Sequence, residues 1–521
     1  MIQRRLYLYI VGAASLGMLV IGLANLGATT LDLLLRPGAI TSTYRDAYAG
    51  FGAVTLVGLP VWALHWGIAQ RLARRHPDER ASAIRRLYLY LAMGVLLVAA
   101  AIFVRGLLED VIGALGGEPL AGAAVLRAAW ESVLLLAFWL YHFRIAAANR
   151  ATVGETGASA SLRRWYAYGL LLFGLAFLLF GARNLMQQIW VLLVQPAPVA
   201  APGGIIASAL ATLLTGLAVY SFQARWTTRG AMAADDRRAT LRVVAGFLAL
   251  AVSVGLALVG ASQLLYYILA RALGVQHPGG VSTSLLVALA GPASTVLVFG
   301  LTWVWLRRQL AQDAGQAEAA RQAGVRHLYT HLVAFFAVAA LAIGAAGLLW
   351  TLSDQVLNLL LGRPAPEWRD HASLFITLAL VGTPMWLTHW RAAPDPTERF
   401  TLSRRLYLYG ALLGSVLAIL ISAATLVYRL LGVLLATTGA DSGAAVVDIG
   451  RAASVVTVAA ALGLYHWRIV RADAAARPAA PAQPIAASEQ FSLQIRGASE
   501  AEIRRALGGL PDGASYSLER R

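Results

Sequence analysis

The sequence predicts an all-α integral membrane protein: about twelve transmembrane helices in six repeated hairpins, with a small cytoplasmic tail of βαβ-like pattern. Three observations carry this. Of 521 residues, 59% are hydrophobic and 13% charged, against about 25% charged in a soluble domain. Mean hydropathy is +0.65, and apolar runs long enough to cross a bilayer recur along the whole chain. One six-residue start recurs at a nearly constant interval. This composition excludes a soluble enzyme and a disordered chain. With no Cys, disulfides, thiolate metal sites and cysteine nucleophiles are excluded too. The net charge of +17 rests on 43 basic residues, all of them Arg. In a membrane protein such charge reports topology, and nucleic acid is not an expected partner.

Arg4-Arg5-Leu6-Tyr7-Leu8-Tyr9 opens the chain. Arg85-Arg86-Leu87-Tyr88-Leu89-Tyr90 and Arg404-Arg405-Leu406-Tyr407-Leu408-Tyr409 repeat it unchanged. Arg163-Arg164-Trp165-Tyr166-Ala167-Tyr168 and Arg326-His327-Leu328-Tyr329-Thr330-His331 are weaker copies, and Arg237-Arg238 is the most diverged start. Starts at 4, 85, 163, 237, 326 and 404 give six units of roughly 80 residues. Each holds two apolar stretches. In order, the predicted spans are 6–35, 48–70, 87–115, 120–143, 165–194, 203–224, 243–273, 282–306, 328–361, 371–390, 406–437 and 444–467. The first span of most units exceeds the ~20 residues that cross the hydrocarbon, so it tilts or extends beyond it.

A second level of repetition groups the hairpins in pairs. Tyr44-Arg45-Asp46 leads to Gly58, Pro60, Trp62, His65 and Trp66, and Trp368-Arg369-Asp370 leads to Gly382, Pro384, Trp386, His389 and Trp390 at identical spacings. Arg127 precedes His142 by 15 residues, as Arg451 precedes His466. Three four-helix units follow, at 1–150, 151–315 and 316–470, the middle one diverged. An Ala/Pro linker at 471–487 leads to a module at 488–521. There Phe491–Ile495 alternates as a strand, Ser499 and Glu502 form a capping box before a helix, and Asp512-Gly513 turns into a last strand near Tyr516 and Leu518.

Connections between units, with the two ends of the chain, hold 33 Arg, whereas turns inside hairpins hold four. This bias places both termini in the cytoplasm, with the protein in the inner membrane. The Arg-Arg starts read as interfacial anchors. Tyr7, Tyr9, Tyr88, Tyr90, Tyr407 and Tyr409 read as a cytoplasmic aromatic belt.

The Arg-Arg-Leu-Tyr-Leu-Tyr start, the long apolar helix after it, and a second helix ending in Tyr465-His466-Trp467-Arg468 resemble the DUF5671 family of bacterial membrane domains. The likeness covers nearly all of residues 1–470 as three tandem copies, and the middle copy departs from it in both motifs. It implies a multi-pass membrane protein and brings no activity with it.

Charges inside a membrane are costly and mark function by default. The candidates are Arg105, with Glu109 at i+4 and Asp110 at i+5; Arg183; Asp32 and Asp354, which occupy one equivalent position; and Arg127 and Arg451. Facing a bundle interior, such a set relays protons or binds an anion; near the outer ends it snorkels or pairs to fix helix contacts. His65, His142, His389 and His466 recur at the cytoplasmic ends of second helices, where two on neighbouring helices suit a haem b, or each packs at the interface. Pro60 and Pro384 are candidate kinks. No metal-binding, nucleotide-binding or hydrolase motif appears.

These readings favour a non-enzymatic scaffold or partner-binding component acting through residues 488–521, within the lipid bilayer. The alternatives are a transporter or channel for a small solute or ion, and a haem b or quinone-binding redox protein. The sequence carries no signal of oligomeric state.

Overall fold

Backbone polar groups have no water to bond in lipid, so each apolar run must close its hydrogen bonds internally as a helix. The computed structural model describes residues 2–35, 42–194, 202–228, 236, 239–278, 284–314, 320–364, 366–391, 396–435, 441–476 and 497–507. Twelve helices among these are long and apolar enough to cross a membrane. They are α1 (Ile2–Leu35), α2 (Ser42–Arg75), α3 (Ala83–Leu115), α4 (Gly122–Val153), α5 (Gly157–Val194) and α6 (Pro202–Thr228). The second half holds α7 (Thr240–Ala272), α8 (Leu285–Ala314), α9 (Ala320–Leu360), α10 (Arg369–His389), α11 (Leu402–Leu434) and α12 (Ser442–Ala475). The chain divides into a unit of residues 1–470 and a unit of residues 471–521.

Most helices outrun their apolar spans. α2 continues as helix to Arg75, and α9 has 41 residues, about 60 Å against a hydrocarbon thickness of about 30 Å. The extra turns at the arginine-rich ends are therefore long enough to stand outside the hydrocarbon. α2 and α10 run unbroken through Pro60 and Pro384, so neither proline divides its helix.

The first five hairpins pack tightly, α1 on α2 through α9 on α10. Each first helix also packs on the first helix of the next unit. In addition α1 meets α4, α3 meets α6, α5 meets α8 and α7 meets α10. The principal contacts thus join consecutive units only, the arrangement of a solenoid. In the first two units the first helix is the inner one: 44% of the apolar window of α1 and of α3 is buried, against 6% of α2 and 11% of α4, whereas α12 at 28% is more buried than α11 at 11%. The hairpins close on small residues. A Cβ added at Gly58 would lie 2.9 Å from the Leu19 backbone nitrogen, and one at Gly382 would lie 2.7 Å from that of Leu341. The last hairpin differs. The backbones of α11 and α12 do not approach each other as those of the other hairpins do.

The start of the fourth unit shifts. Leu250, Ser253 and Val254 are buried in α7 as Met93, Leu96 and Leu97 are in α3, which sets Arg242 against Arg85. The diverged unit therefore begins at Arg242 rather than Arg237, and Ala245 and Gly246 stand where Tyr88 and Leu89 stand in α3.

Of the βαβ-like tail only the helix falls among the described residues. Among the described residues there is no strand, and the segments read as strands, 491–495 and around Tyr516 and Leu518, lie outside the described residues. The helix is present at Glu500–Leu507. At its start the Ser499 backbone N–H and hydroxyl both donate to the Glu502 carboxylate, at 2.8 and 2.7 Å.

Candidate functional site

At the arginine-rich end, the first three junctions between units each contain a buried carboxylate. Pro77 opens a five-residue helix, Pro77–Ala81, that holds Glu79 at 2% exposure. Glu79 accepts from Arg5 Nε at 2.7 Å and from the Tyr9 hydroxyl at 3.1 Å. Arg85, fully buried, donates to that same hydroxyl at 3.2 Å and to Gln70 Oε1 at 2.8 Å. One junction later Gly154 takes φ +67°, which a side chain would disfavour, and turns Glu155 beneath α3. Glu155 accepts from the Tyr90 hydroxyl at 2.5 Å and forms ion pairs with Arg86 at 2.9 Å and Arg163 at 3.1 Å. Asp236 closes the third junction. Arg163 grips it with two bonds of 2.7 Å, and Arg164 adds one of 2.9 Å. In the last junction His327 stands where Arg5 does, and its Nδ1 lies 3.1 Å from Glu398.

The Arg-Arg starts are thus only partly hydrated. Arg85 and Arg86 have no exposure and Arg404 has 1%, with Arg86 paired to Glu155 and Arg85 bonded to Tyr9 and Gln70, whereas Arg4 and Arg405 are exposed. The aromatic belt is likewise divided. Tyr9, Tyr88, Tyr90 and Tyr407 are buried, whereas Tyr7 and Tyr409 face outward, each 60% exposed.

The histidines sit one layer deeper. His142 Nδ1–H donates to the Phe138 carbonyl at 2.8 Å, which leaves Nε2 to accept from the Tyr88 hydroxyl at 3.2 Å. Trp62 in turn donates to Tyr88 at 3.4 Å. The third domain repeats this arrangement: His466 Nδ1 to the Leu462 carbonyl at 2.8 Å, Tyr407 to His466 Nε2 at 2.9 Å, and Trp386 to Tyr407 at 2.8 Å. Arg85 covers Trp66 and Arg404 covers Trp390, at 5.2 and 4.8 Å from the ring centroids. His65 makes the same pair of contacts at the edge of the array, to Val61 at 2.8 Å and Tyr7 at 3.2 Å. His389 bonds the Met385 carbonyl at 3.0 Å and meets Tyr329 edge-on. In the diverged middle, fully buried Gln223 faces the Tyr166 hydroxyl, without a hydrogen bond of good geometry.

At the opposite end a second set of polar contacts joins the first helix of each unit to the second helix of the next. Arg127 reaches Asp32 at 3.3 Å. Arg105 donates to Thr212 at 2.9 Å and Ser208 at 2.8 Å, and pairs with Glu109 at 2.8 Å on its own helix. Arg183 donates to Thr295 at 3.1 Å, passing close over Gly291. Tyr266 donates to Asp370 at 2.6 Å. Arg451 holds Asp354 with two bonds of 2.7 Å and lies 3.2 Å from Asp448. Asp110 makes neither a hydrogen bond nor an ion pair with a described residue. Of the charges singled out in the sequence, Asp32 with Arg127 and Asp354 with Arg451 are brought together across junctions, and Arg105 and Arg183 bond hydroxyls of the next unit, so they are spread over successive junctions rather than gathered at one centre.

Spacing alone missed Glu79, Glu155, Asp236 and Glu398, which lie in polar connections that read as solvated. A signal was present: Pro77-Asp78-Glu79-Arg80 and Pro396-Thr397-Glu398-Arg399 each place the acid six residues before an Arg pair. Among the described residues, no group of three or more His, Asp or Glu is arranged to hold a metal ion. Two cavities stand beside these contacts. One of about 560 Å³ is lined by Asp32, Arg127, Glu131 and Tyr44. A larger one of about 760 Å³ lies among α5, α6, α7, α8, α9 and α10.

Repeated hairpins fastened at both ends define a multi-pass membrane repeat protein. The family model described as a domain of unknown function, DUF5671, matches residues 5–134, 164–291 and 328–461, and the chain belongs to that family in three tandem copies. No similar curated protein and no similar solved structure was found.

Proposed function

We propose that the chain is a non-transporting scaffold of the cytoplasmic membrane, with both termini in the cytoplasm and residues 488–521 engaging a partner protein. The observation that carries the reading is the pairing of the intramembrane charges. Asp32, Asp354, Arg105, Arg127, Arg183 and Arg451 each bond a neighbouring helix, so the polar groups expected of a permeation path are used to fasten units. Both nitrogens of His142 and His466 are engaged, which favours packing over haem ligation. The tail supports recruitment. Its helix Glu500–Leu507 has no buried residue, and it presents Ile503 and Leu507 on an otherwise charged segment of a separate unit.

A second reading, solute transport, draws on the 560 Å³ polar cavity beside Asp32, where Asp32 Oδ1 is buried without a hydrogen bond. Reconstituted proteoliposomes separate the two. The scaffold reading expects no ion current or proton flux above empty vesicles. It also expects a stoichiometric partner that leaves when 488–521 is deleted. A flux abolished by Asp32→Asn establishes transport instead.

A further inference from the structure

The fourth unit has lost the residues that fill the other junctions. Tyr88 in α3 is replaced by Ala245, Leu89 by Gly246, and the second-helix histidine by Val304. A ring, an isobutyl group and an imidazole are thereby removed from one buried layer. The result is the 760 Å³ cavity, whose wall includes Ala245, Gly246, Phe247, Trp303, Tyr329 and His389. In the first domain the equivalent space is occupied by Tyr88 and His142.

The cavity is polarised along the helix axes. Arg242, Arg307 and Arg326 line its arginine-rich end, whereas Leu171, Leu175 and Leu250 line its deeper part. From Arg242 to Leu250 is about 12 Å along α7, which matches the upper half of an acyl chain. Arg307 is exposed, lies over Trp303 with its guanidinium 5.7 Å from the ring centroid, and makes no hydrogen bond or ion pair with a described residue. Its donors meet no acceptor among the described residues, and a guanidinium matches a phosphate with two parallel bonds. Arg242 lies beside the Tyr168 hydroxyl and contributes positive charge to the mouth.

We infer that this cavity holds one anionic phospholipid of the surrounding leaflet, with its phosphate at Arg307 and an acyl chain between α7 and α9. The charge complementarity of the mouth and the apolar depth select this occupant over a zwitterionic lipid or a soluble anion.

Native mass spectrometry of the full chain in neutral detergent tests the inference, with phosphatidylglycerol or phosphatidylcholine of matched chains as probes. One phosphatidylglycerol should be retained at least about tenfold more tightly than phosphatidylcholine, and Arg307→Ala should weaken it by about tenfold. Ala245→Tyr with Gly246→Leu restores the residues of the other units. It should displace the lipid while Arg307 stays in place; a Cβ at Gly246 meets only the flexible end of Leu310, at 2.8 Å. Equal retention of the two lipids overturns the proposal, as does phosphatidylglycerol retained undiminished in Arg307→Ala. Oleate retained as tightly as phosphatidylglycerol overturns the phosphate assignment.

Discussion

Glu155 is the residue on which most depends locally. Its side chain is fully buried between Arg86 and Arg163, and removing its charge leaves the buried Arg86 guanidinium without an anion, while Arg163 keeps Asp236. Glu155→Gln should therefore lower stability by about 3–5 kcal/mol, read as a fall in unfolding temperature in detergent. The exposed pair Arg363–Asp441, at 2.8 Å, serves as the comparison, and Asp441→Asn should leave that temperature unchanged. Asp236 adds a pH dependence. Burial alone would raise its carboxyl, but the hydrogen bonds from Arg163 and Arg164 hold it below its ordinary value. A depressed carboxyl contributes stability above the unfolded value of about 3.9 and loses it as pH falls through the folded one. Unfolding measured from pH 6 down to pH 3 should show acid destabilisation that is smaller in Asp236→Asn.

The helix hairpin is held by close backbone approach as much as by polar contacts. At Gly382 a Cβ would meet the Leu341 nitrogen at 2.7 Å and the Ala337 oxygen at 2.8 Å, both backbone atoms that cannot swing aside. Gly382→Ala should push α10 off α9 and cost about 1–3 kcal/mol. Gly52→Ala, with nothing within 4 Å, should be neutral or stabilising by up to about 1 kcal/mol. At this scale the sequence was largely legible, because hydropathy and the repeated Arg-Arg start locate each helix. The register of the fourth unit was not. Arg237-Arg238 imitates the motif, whereas burial of Ala245 and Leu250 decides for Arg242. The strands read at Phe491–Ile495 and near Tyr516 and Leu518 lie outside the described residues.

Taken whole, the membrane unit is a row of hairpins in which the principal contacts between units join consecutive ones. Duplicated spacing exposed Asp32, Asp354, Arg127 and Arg451 as equivalent positions. It did not say that they pair with each other, because the partners lie 95 and 97 residues apart on different units. The same gap explains why the sequence favoured fasteners over a permeation path yet left the path open. Their distinction rests on whether the charges interact with each other energetically. A double-mutant cycle in thermal unfolding, on Asp354→Asn, Arg451→Met and the pair combined, measures that directly. Arg451→Met strands the buried Asp354, whereas Asp354→Asn leaves Arg451 with Asp448, so the arginine substitution should cost more. The fastened array predicts a coupling of about 1–3 kcal/mol between the two sites, with the double variant more stable than the sum of its parts. Additive effects near zero in both single variants would contradict it.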